Sequence, residues 1–400
     1  MSPKRRLAPF LFLLFTGTLG NSAIMPFMPF YLVNELQQPP WMLSVYTGMA
    51  VTLTLTLNRV FARRIDAGTR VFPIIGCAVA GYALTSLSMA VSPTLPVALT
   101  LGVFGFGLSA SSISAMFATG GHMAERNGVA RPKFNAYMRA TTSTAWMIGP
   151  AVSFSIAGSI GATAVFTFAC GLAILWAVVW YVGLPRDVTA PAPPKPDVDI
   201  ASAPIDLWLA AAFVFCLSLA HGLTATSLPL YFVQEVGLPD FAPGAAFSVK
   251  TFVEVIAIFS SSFLMARLGL RIPLMACACL AIVAILVLSS VQTLPQMALG
   301  SSLEGLYYGL FASIGISYIQ SFAQDRPAQA TALYWNAMML SGLLAAPAAG
   351  LIAQLADFRT AILLSSGVAA LAIPILLMGM LRDGGRGDGA SRASPDHPPR

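Results

Sequence analysis

Charge is what this sequence has least of. Asp, Glu, Lys and Arg make up only 10% of its 400 residues, against about 25% in soluble domains, so most of the chain has no water-facing surface to offer. That excludes a soluble enzyme, a disordered chain and a nucleic-acid-binding protein; the net charge of +6 has to be read by its position instead. Three histidines and five cysteines are too few and too scattered for a metal cluster. Cys277 and Cys279 stand two apart, so they face different ways on a helix, with no His or carboxylate beside them. Cys77, Cys170 and Cys216 sit in apolar runs and read as helix packing. No Ser-His-Asp set and no phosphate-cradling loop is evident, so neither catalysis nor a cofactor is expected. The run Gly102-Val103-Phe104-Gly105-Phe106-Gly107 lies inside an apolar segment, where glycines let helices approach closely.

What is present is apolar: 57% of residues are hydrophobic and the mean hydropathy is +0.77. A spanning helix takes about 20 apolar residues. Charges and turn residues cut the chain into twelve apolar segments, at 7–33, 41–61, 71–91, 94–118, 136–158, 161–184, 204–233, 243–266, 273–291, 295–322, 328–354 and 360–381. With the N-terminus inside, all but Arg139, Lys250 and Arg359 of the 22 lysines and arginines fall in the tails or at inner ends and loops. This asymmetry predicts a multi-pass membrane protein with both termini in the cytoplasm. The apolar run after Lys4-Arg5-Arg6 continues through Pro26 and Pro29 without a cleavage pattern, so it reads as the first span rather than a signal peptide. The expected domains are a six-helix half at 1–184, a Pro/Ala/Asp-rich linker at 185–203, a second half at 204–381 and a tail at 382–400.

The halves repeat. Pro29-Phe30-Tyr31-Leu32-Val33-Asn34-Glu35-Leu36 matches Pro229-Leu230-Tyr231-Phe232-Val233-Gln234-Glu235-Val236 at an offset of 200, continued by Pro39 and Pro239. Ala62-Arg63 before Arg70 and Pro73 resembles Ala266-Arg267 before Arg271 and Pro273. Arg131-Pro132 pairs with Arg326-Pro327, and the stretch from Arg139 to Pro150 with that from Asn336 to Pro347. Two repeated six-helix halves form a rocker transporter with its solute site between them. Here the chain resembles the major facilitator superfamily, and the all-α, twelve-helix, two-half fold is what that resemblance implies. More narrowly it resembles the sugar efflux transporter family, through Met138-Arg139-Ala140, Ala145-Trp146-Met147-Ile148-Gly149-Pro150, Pro229-Leu230, Glu235-Val236-Gly237-Leu238-Pro239-Asp240, Glu254, Gln320, Arg326, Ala330-Thr331 and Asn336. The resemblance implies proton-driven efflux of sugars, glycosides or related small polar solutes from a bacterial inner membrane by a monomer. Three features depart from it. The loop signature after the second helix survives only as Arg63, Arg64, Asp66 and Arg70, enough for a charge latch of Arg63, Asp66 and Arg70. Ala145 and Ser153 replace usual glycines around Gly149-Pro150. Lys250 and Glu304 are not family charges.

An ionisable side chain at bilayer depth is costly and usually faces a cavity or a partner. By these spans the set is Arg139, His221, Lys250, Glu254 and Glu304. Lys250 and Glu254 are four apart and can pair, as a structural pair or as one that solute or proton breaks. Glu254 is the first choice for proton coupling, with Glu304 and His221 as the other candidates; Glu254 and Glu304 lie at similar depth and can share a proton if they face one another. Tyr307 and Tyr308 offer faces for sugar rings, or are core aromatics. Arg139 starts a polar stripe continued by Thr142, Ser143 and Trp146, or snorkels to the boundary. Asn21, Gln320 and Asn336 are hydroxyl readers or interhelical glue. His221 is a proton site or a packed histidine. A solute of another kind (drug, siderophore or anionic metabolite) would suit Arg139 and Lys250. A non-transporting sensor or scaffold is the rival from another class, and the linker and tails show no signalling domain to support it.

Overall fold

A computed structural model describes residues 7–129, 131–189, 205–322 and 327–392. Arg326, most of the linker, the end of the C-terminal tail and the side chain of Asp66 lie outside the described residues. Within them the chain is helical throughout, in twelve successive segments: α1 Leu7–Glu35, α2 Trp41–Asp66, α3 Val71–Val91, α4 Leu95–Arg126, α5 Arg131–Ser159, α6 Ala162–Gly183, α7 Ile205–Glu235, α8 Ala242–Leu268, α9 Arg271–Ser289, α10 Leu294–Ser321, α11 Pro327–Leu355 and α12 Phe358–Arg392. A lipid environment leaves no alternative for an uncut apolar run, because every backbone group must bond within its own segment. Among the described residues nine of the twelve are long and apolar enough to cross a membrane on composition alone. The other three, α2, α5 and α10, have polar or charged residues within their length, among them Asn58 and Arg59, Arg139, and Glu304.

Helix ends depart from the apolar segments. α2, α4 and α5 run past their hydrophobic stretches into charged residues, because a helix is continued by backbone hydrogen bonds and stops at a breaker rather than where apolarity ends. The breakers are Gly68 after α2 and Gly128 after α4, both with positive φ. α12 continues past the expected end of the last apolar segment at Leu381, into the tail, as far as Arg392. Arg382 Nε is held by Asp206 Oδ1 of α7 at 3.1 Å; nothing in the Gly-rich sequence explains the turns beyond it.

The sequence repeat is a structural one. Tyr31–Glu35 and Tyr231–Glu235 both widen into a π-helical turn. The N–H of Leu36 reaches Tyr31 O and that of Val236 reaches Tyr231 O, each at 3.0 Å. The next bend needs a left-handed residue, supplied by Gly237 (φ 76°) in one copy and by Gln37 (φ 50°) in the other. Each tyrosine then staples its helix to the loop two helices on. Tyr31 Oη donates to Pro93 O at 3.2 Å and Tyr231 Oη to Ser289 O at 2.8 Å.

The two halves meet through α2 with α11 and α5 with α8. Their bonds lie toward the side of the bundle that carries Glu35. Ser44 Oγ donates to Pro347 O at 2.6 Å, Ser248 Oγ to Met147 O at 3.0 Å, and Gln234 Nε2 to Asn34 Oδ1 at 3.3 Å. The last pair joins residues 200 apart, the two copies of one motif touching across the pseudo-twofold axis. Toward the opposite side, which carries Arg63, the repeat-related Arg139 and Asn336 are both exposed. The protein is closed at the Glu35 side.

Candidate functional site

Glycine builds the site. Gly305 and Gly309 on α10 lie against the backbone of α8 so closely that a Cβ at Gly305 would collide with Lys250 O, and one at Gly309 would stand 2.5 Å from Glu254 O. This small-xxx-small contact lets two helices touch backbone to backbone. It sets Lys250 and Glu254 of α8 beside Glu304 and Tyr308 of α10. The Gly305-x-x-x-Gly309 spacing was there in the sequence and carries as much of the site as the charges do. A similar contact, Gly81 of α3 against Gly105 of α4, accounts for the glycine run at 102–107.

Two acid–base pairs result. Lys250 Nζ lies 2.9 Å from Glu254 Oε2, as the spacing of four allows, with both side chains less than a fifth exposed. Glu304, 4% exposed, turns to His221 on α7, with Nδ1 3.3 Å from its Oε1. The same Nδ1 is 3.3 Å from Tyr307 Oη. The imidazole is therefore the contact partner of Glu304 and the ammonium that of Glu254, with Lys250 also within electrostatic reach of Glu304. Tyr308 lies between the pairs: His221 stacks on its ring at 3.8 Å and Lys250 Nζ sits 4.6 Å from its centroid. The face expected to receive a sugar ring is occupied by the protein's own His221, and Tyr307 is fully buried. A cleft of about 280 Å³, including its opening to solvent, adjoins Lys250 and Glu304; Leu228, Phe232 and Phe247 give it apolar walls.

The remaining residues singled out from sequence are spread more widely. Asn21, 200 positions before His221, is buried and fully used: its Nδ2 donates to Gly17 O at 2.8 Å and its Oδ1 accepts from Ser109 Oγ at 3.0 Å. That is the hydrogen-bonding pattern of interhelical glue. Arg139 is exposed on α5 and lies within electrostatic reach of the Tyr308 and Tyr334 hydroxyls. Trp146 and Gln320 are half-buried, and Asn336 is exposed on α11. Arg63 and Arg70 are exposed. Among the described residues of the first six helices, the charges furthest inside a helix are Arg59 and Arg139, both exposed; the second half carries four ionisable groups, His221, Lys250, Glu254 and Glu304, on three helices. No group of three or more His, Cys, Asp or Glu suited to a metal occurs among the described residues.

The sequence read missed one pair. Ser114 Oγ on α4 donates to Asn58 Oδ1 on α2 at 2.5 Å. Neither residue stands out in sequence, because a helix with several Ser and Thr gives no sign of which one meets a polar partner.

A family model described as Major Facilitator Superfamily matches residues 10–239 and 210–398. Sugar efflux transporter A of Dickeya chrysanthemi is 26% identical over 397 residues, which cover 95% of this chain and 97% of that protein. Sugar efflux transporter C of Escherichia coli strain K12 is 24% identical over 378 residues, covering 92% and 95%. Among solved structures, the POT family transporter PepTSo aligns with a TM-score of 0.77 at 11% identity over 94% of this chain and 98% of its own. The nucleoside transporter NupG aligns with a TM-score of 0.75 at 11% identity, over 94% and 98%. At that identity the likeness is one of fold. With the family model covering both halves, a repeat built into matching π-helical turns and an all-helical two-half bundle, the chain belongs to the Major Facilitator Superfamily.

Proposed function

We propose that this transporter couples the efflux of sugars, glycosides or related small polar solutes to proton entry by alternating access. It works as a monomer in a bacterial inner membrane with both termini in the cytoplasm. In that orientation the Glu35 side is periplasmic and the closed state described above faces inward. Two sugar efflux transporters aligned over nearly their whole length support the solute class. The observation that carries the proton reading is the Glu304–His221 pair. A buried carboxylate held by a permanent cation has little use for a proton. One held by an imidazole belongs to a pair that exists with or without one, and the low dielectric makes the difference costly enough to bias a conformational equilibrium. Glu254, held by Lys250, serves as that pair's electrostatic neighbour. The proton site thus moves from Glu254, the first choice from sequence, to Glu304 with His221.

The test has two parts. Inverted vesicles with an imposed pH gradient are offered labelled neutral sugars, an anionic siderophore and a cationic drug. Purified protein in weak buffer is then titrated with a bound solute while proton release is followed. Glu304→Gln and His221→Asn are expected to abolish release and gradient-driven flux, while Glu254→Gln keeps release. Release lost in Glu254→Gln alone would return the role to that residue. No release from the wild type under demonstrated binding counts against antiport. Flux of the anionic solute alone favours the second solute class, to which exposed Arg139 gives a counter-charge.

A further inference from the structure

The two polar pairs that bridge α4 to its neighbours are built differently. In the Asn21–Ser109 pair both ends of the amide are consumed and the side chain is 3% exposed; it holds helices together and offers nothing outward. In the Asn58–Ser114 pair Oδ1 accepts from Ser114 Oγ at 2.5 Å, the shorter of that hydroxyl's two contacts (Ser111 O is 3.3 Å away), while Nδ2 has no protein acceptor among the described residues. Asn58 is half-buried and Ser114 exposed. Such an amide is oriented but half-used.

Its direction follows from the packing. α4 is flanked by α1, α2, α3 and α5, and Ser114 is exposed on the side of it that meets α2. On α2 the exposed stripe is Met49, Thr52, Thr56, Arg59 and Val60, spaced as one helical face. Asn58 is off that stripe and on the face that carries Ser44, which meets Pro347 of α11 higher in the bundle. One turn toward the Glu35 side, Ser111 Oγ bonds Thr54 O at 3.1 Å, and Leu53 fills the notch over Gly107; the two helices are zipped and the amide is held rigidly. Asn58 is eight residues from the end of α2 and Arg139 eight from the start of α5, so each is about 12 Å in from the Arg63 side at 1.5 Å per residue. Both belong to the first half, whereas the charge cluster belongs to the second.

We propose that Asn58, oriented by Ser114, is a solute-binding residue of the first half, which donates its free N–H groups to the hydroxyls of a sugar. The inference rests on the sugar-exporter reading. An amide of fixed orientation suits a neutral hydroxyl, because it reads position without adding charge, and it leaves proton handling to the opposite wall.

Equilibrium binding of labelled lactose to purified wild type, Asn58→Ala and Ser114→Ala tests it without any proton gradient. Loss of one neutral hydrogen bond predicts Kd raised about three- to ten-fold in Asn58→Ala. Ser114→Ala, which keeps the amide but frees its rotamer, is expected to weaken binding less. Proton release per bound lactose is expected to stay at the wild-type value in both, which a general disturbance of the bundle would not preserve. Unchanged Kd in Asn58→Ala with normal wild-type binding overturns the inference and leaves the function standing. Weakened binding in Asn58→Ala, with no gradient-driven flux in the wild type, sustains the inference and removes proton coupling. No lactose binding by the wild type overturns sugar recognition here and the inference with it.

Discussion

Adding one methyl group at Gly305 or Gly309 tests whether the α8–α10 contact holds the site. At Gly309 the new Cβ would sit 2.5 Å from Glu254 O and 2.9 Å from the Cβ of Ala257. Ordinary contact begins at 3.4 Å, so the helices must part by about 0.9 Å, the difference between 3.4 and 2.5. At Gly305 the obstruction is Lys250 O, closer still, and it is backbone that cannot rotate away. Overpacking of this kind costs about 1–3 kcal/mol, offset by about 0.5–1 kcal/mol of helix propensity when Gly becomes Ala. Gly309→Ala is therefore expected to lose about 1–2 kcal/mol and Gly305→Ala more. At about 2–4 °C per kcal/mol for chains of a couple of hundred residues, Tm in detergent falls by roughly 2–8 °C for Gly309→Ala. Gly171→Ala and Gly367→Ala are the internal controls, since a Cβ there meets nothing within 4 Å; they are expected to hold or gain stability. The measurement is a melt of each purified variant by intrinsic fluorescence. A Tm for Gly305→Ala at or above that of Gly171→Ala would refute the contact.

Three further predictions concern the frame. Cysteines replacing Asn34 and Gln234 in a cysteine-free background, joined by a short cleavable thiol-to-thiol cross-linker, should stop transport, with recovery when the linker is cut, because the native side-chain tips meet at 3.3 Å across the closed side; full activity of the cross-linked protein removes opening of that side from the cycle. Single cysteines at positions 195 and 357 should label from opposite faces of the membrane, and same-face labelling would undo the topology. Asp357 accepts the Thr360 N–H at 2.6 Å and its carboxyl is held below the usual range by hydrogen bonds from Thr360. A depressed carboxylate stabilises the fold above its unfolded pKa, about 3.9, and loses that contribution as pH falls through the lower folded value. Asp357→Ala should therefore cost about 0.5–1 kcal/mol at pH 7 and almost nothing below pH 3, read as converging melts; a gap that persists in acid assigns the effect elsewhere.

Much of the frame could be read directly from residue pattern. Apolar runs must become helices in lipid, so the gaps at Pro39-Pro40, Gly128 and Pro239 located the turns, and the repeat at 29–36 and 229–236 announced two halves. The i,i+4 spacing of Lys250 and Glu254 also fixed their neighbourhood. Two kinds of fact were out of reach. Whether Glu304 faces Glu254 or His221 depends on the rotation of α7 against α10, and the pattern of one helix says nothing about rotation relative to another. Asn21 and Asn58 look alike in sequence as polar residues in apolar helices; only their partners show that one amide is consumed and the other left half open. The Gly305-Gly309 spacing was legible in principle, but small residues at intervals of four are common in this chain, and the close contact depends on what the opposing helix presents.

The uneven placement of charge bears on how such proteins diversify. His221, Lys250, Glu254 and Glu304 all ride on α7, α8 and α10, and the α8–α10 glycine contact makes two of those helices one mechanical piece. Under the proposed coupling, one half carries the proton machinery, while its repeat presents a wall with few ionisable groups. Inheritance can then act on the two separately. On that reading, drift along α2 and α4 alters which molecule is carried and leaves the driving ion untouched, whereas a change of driving ion is written on three neighbouring helices of the other half, and cargo is free to vary faster than fuel.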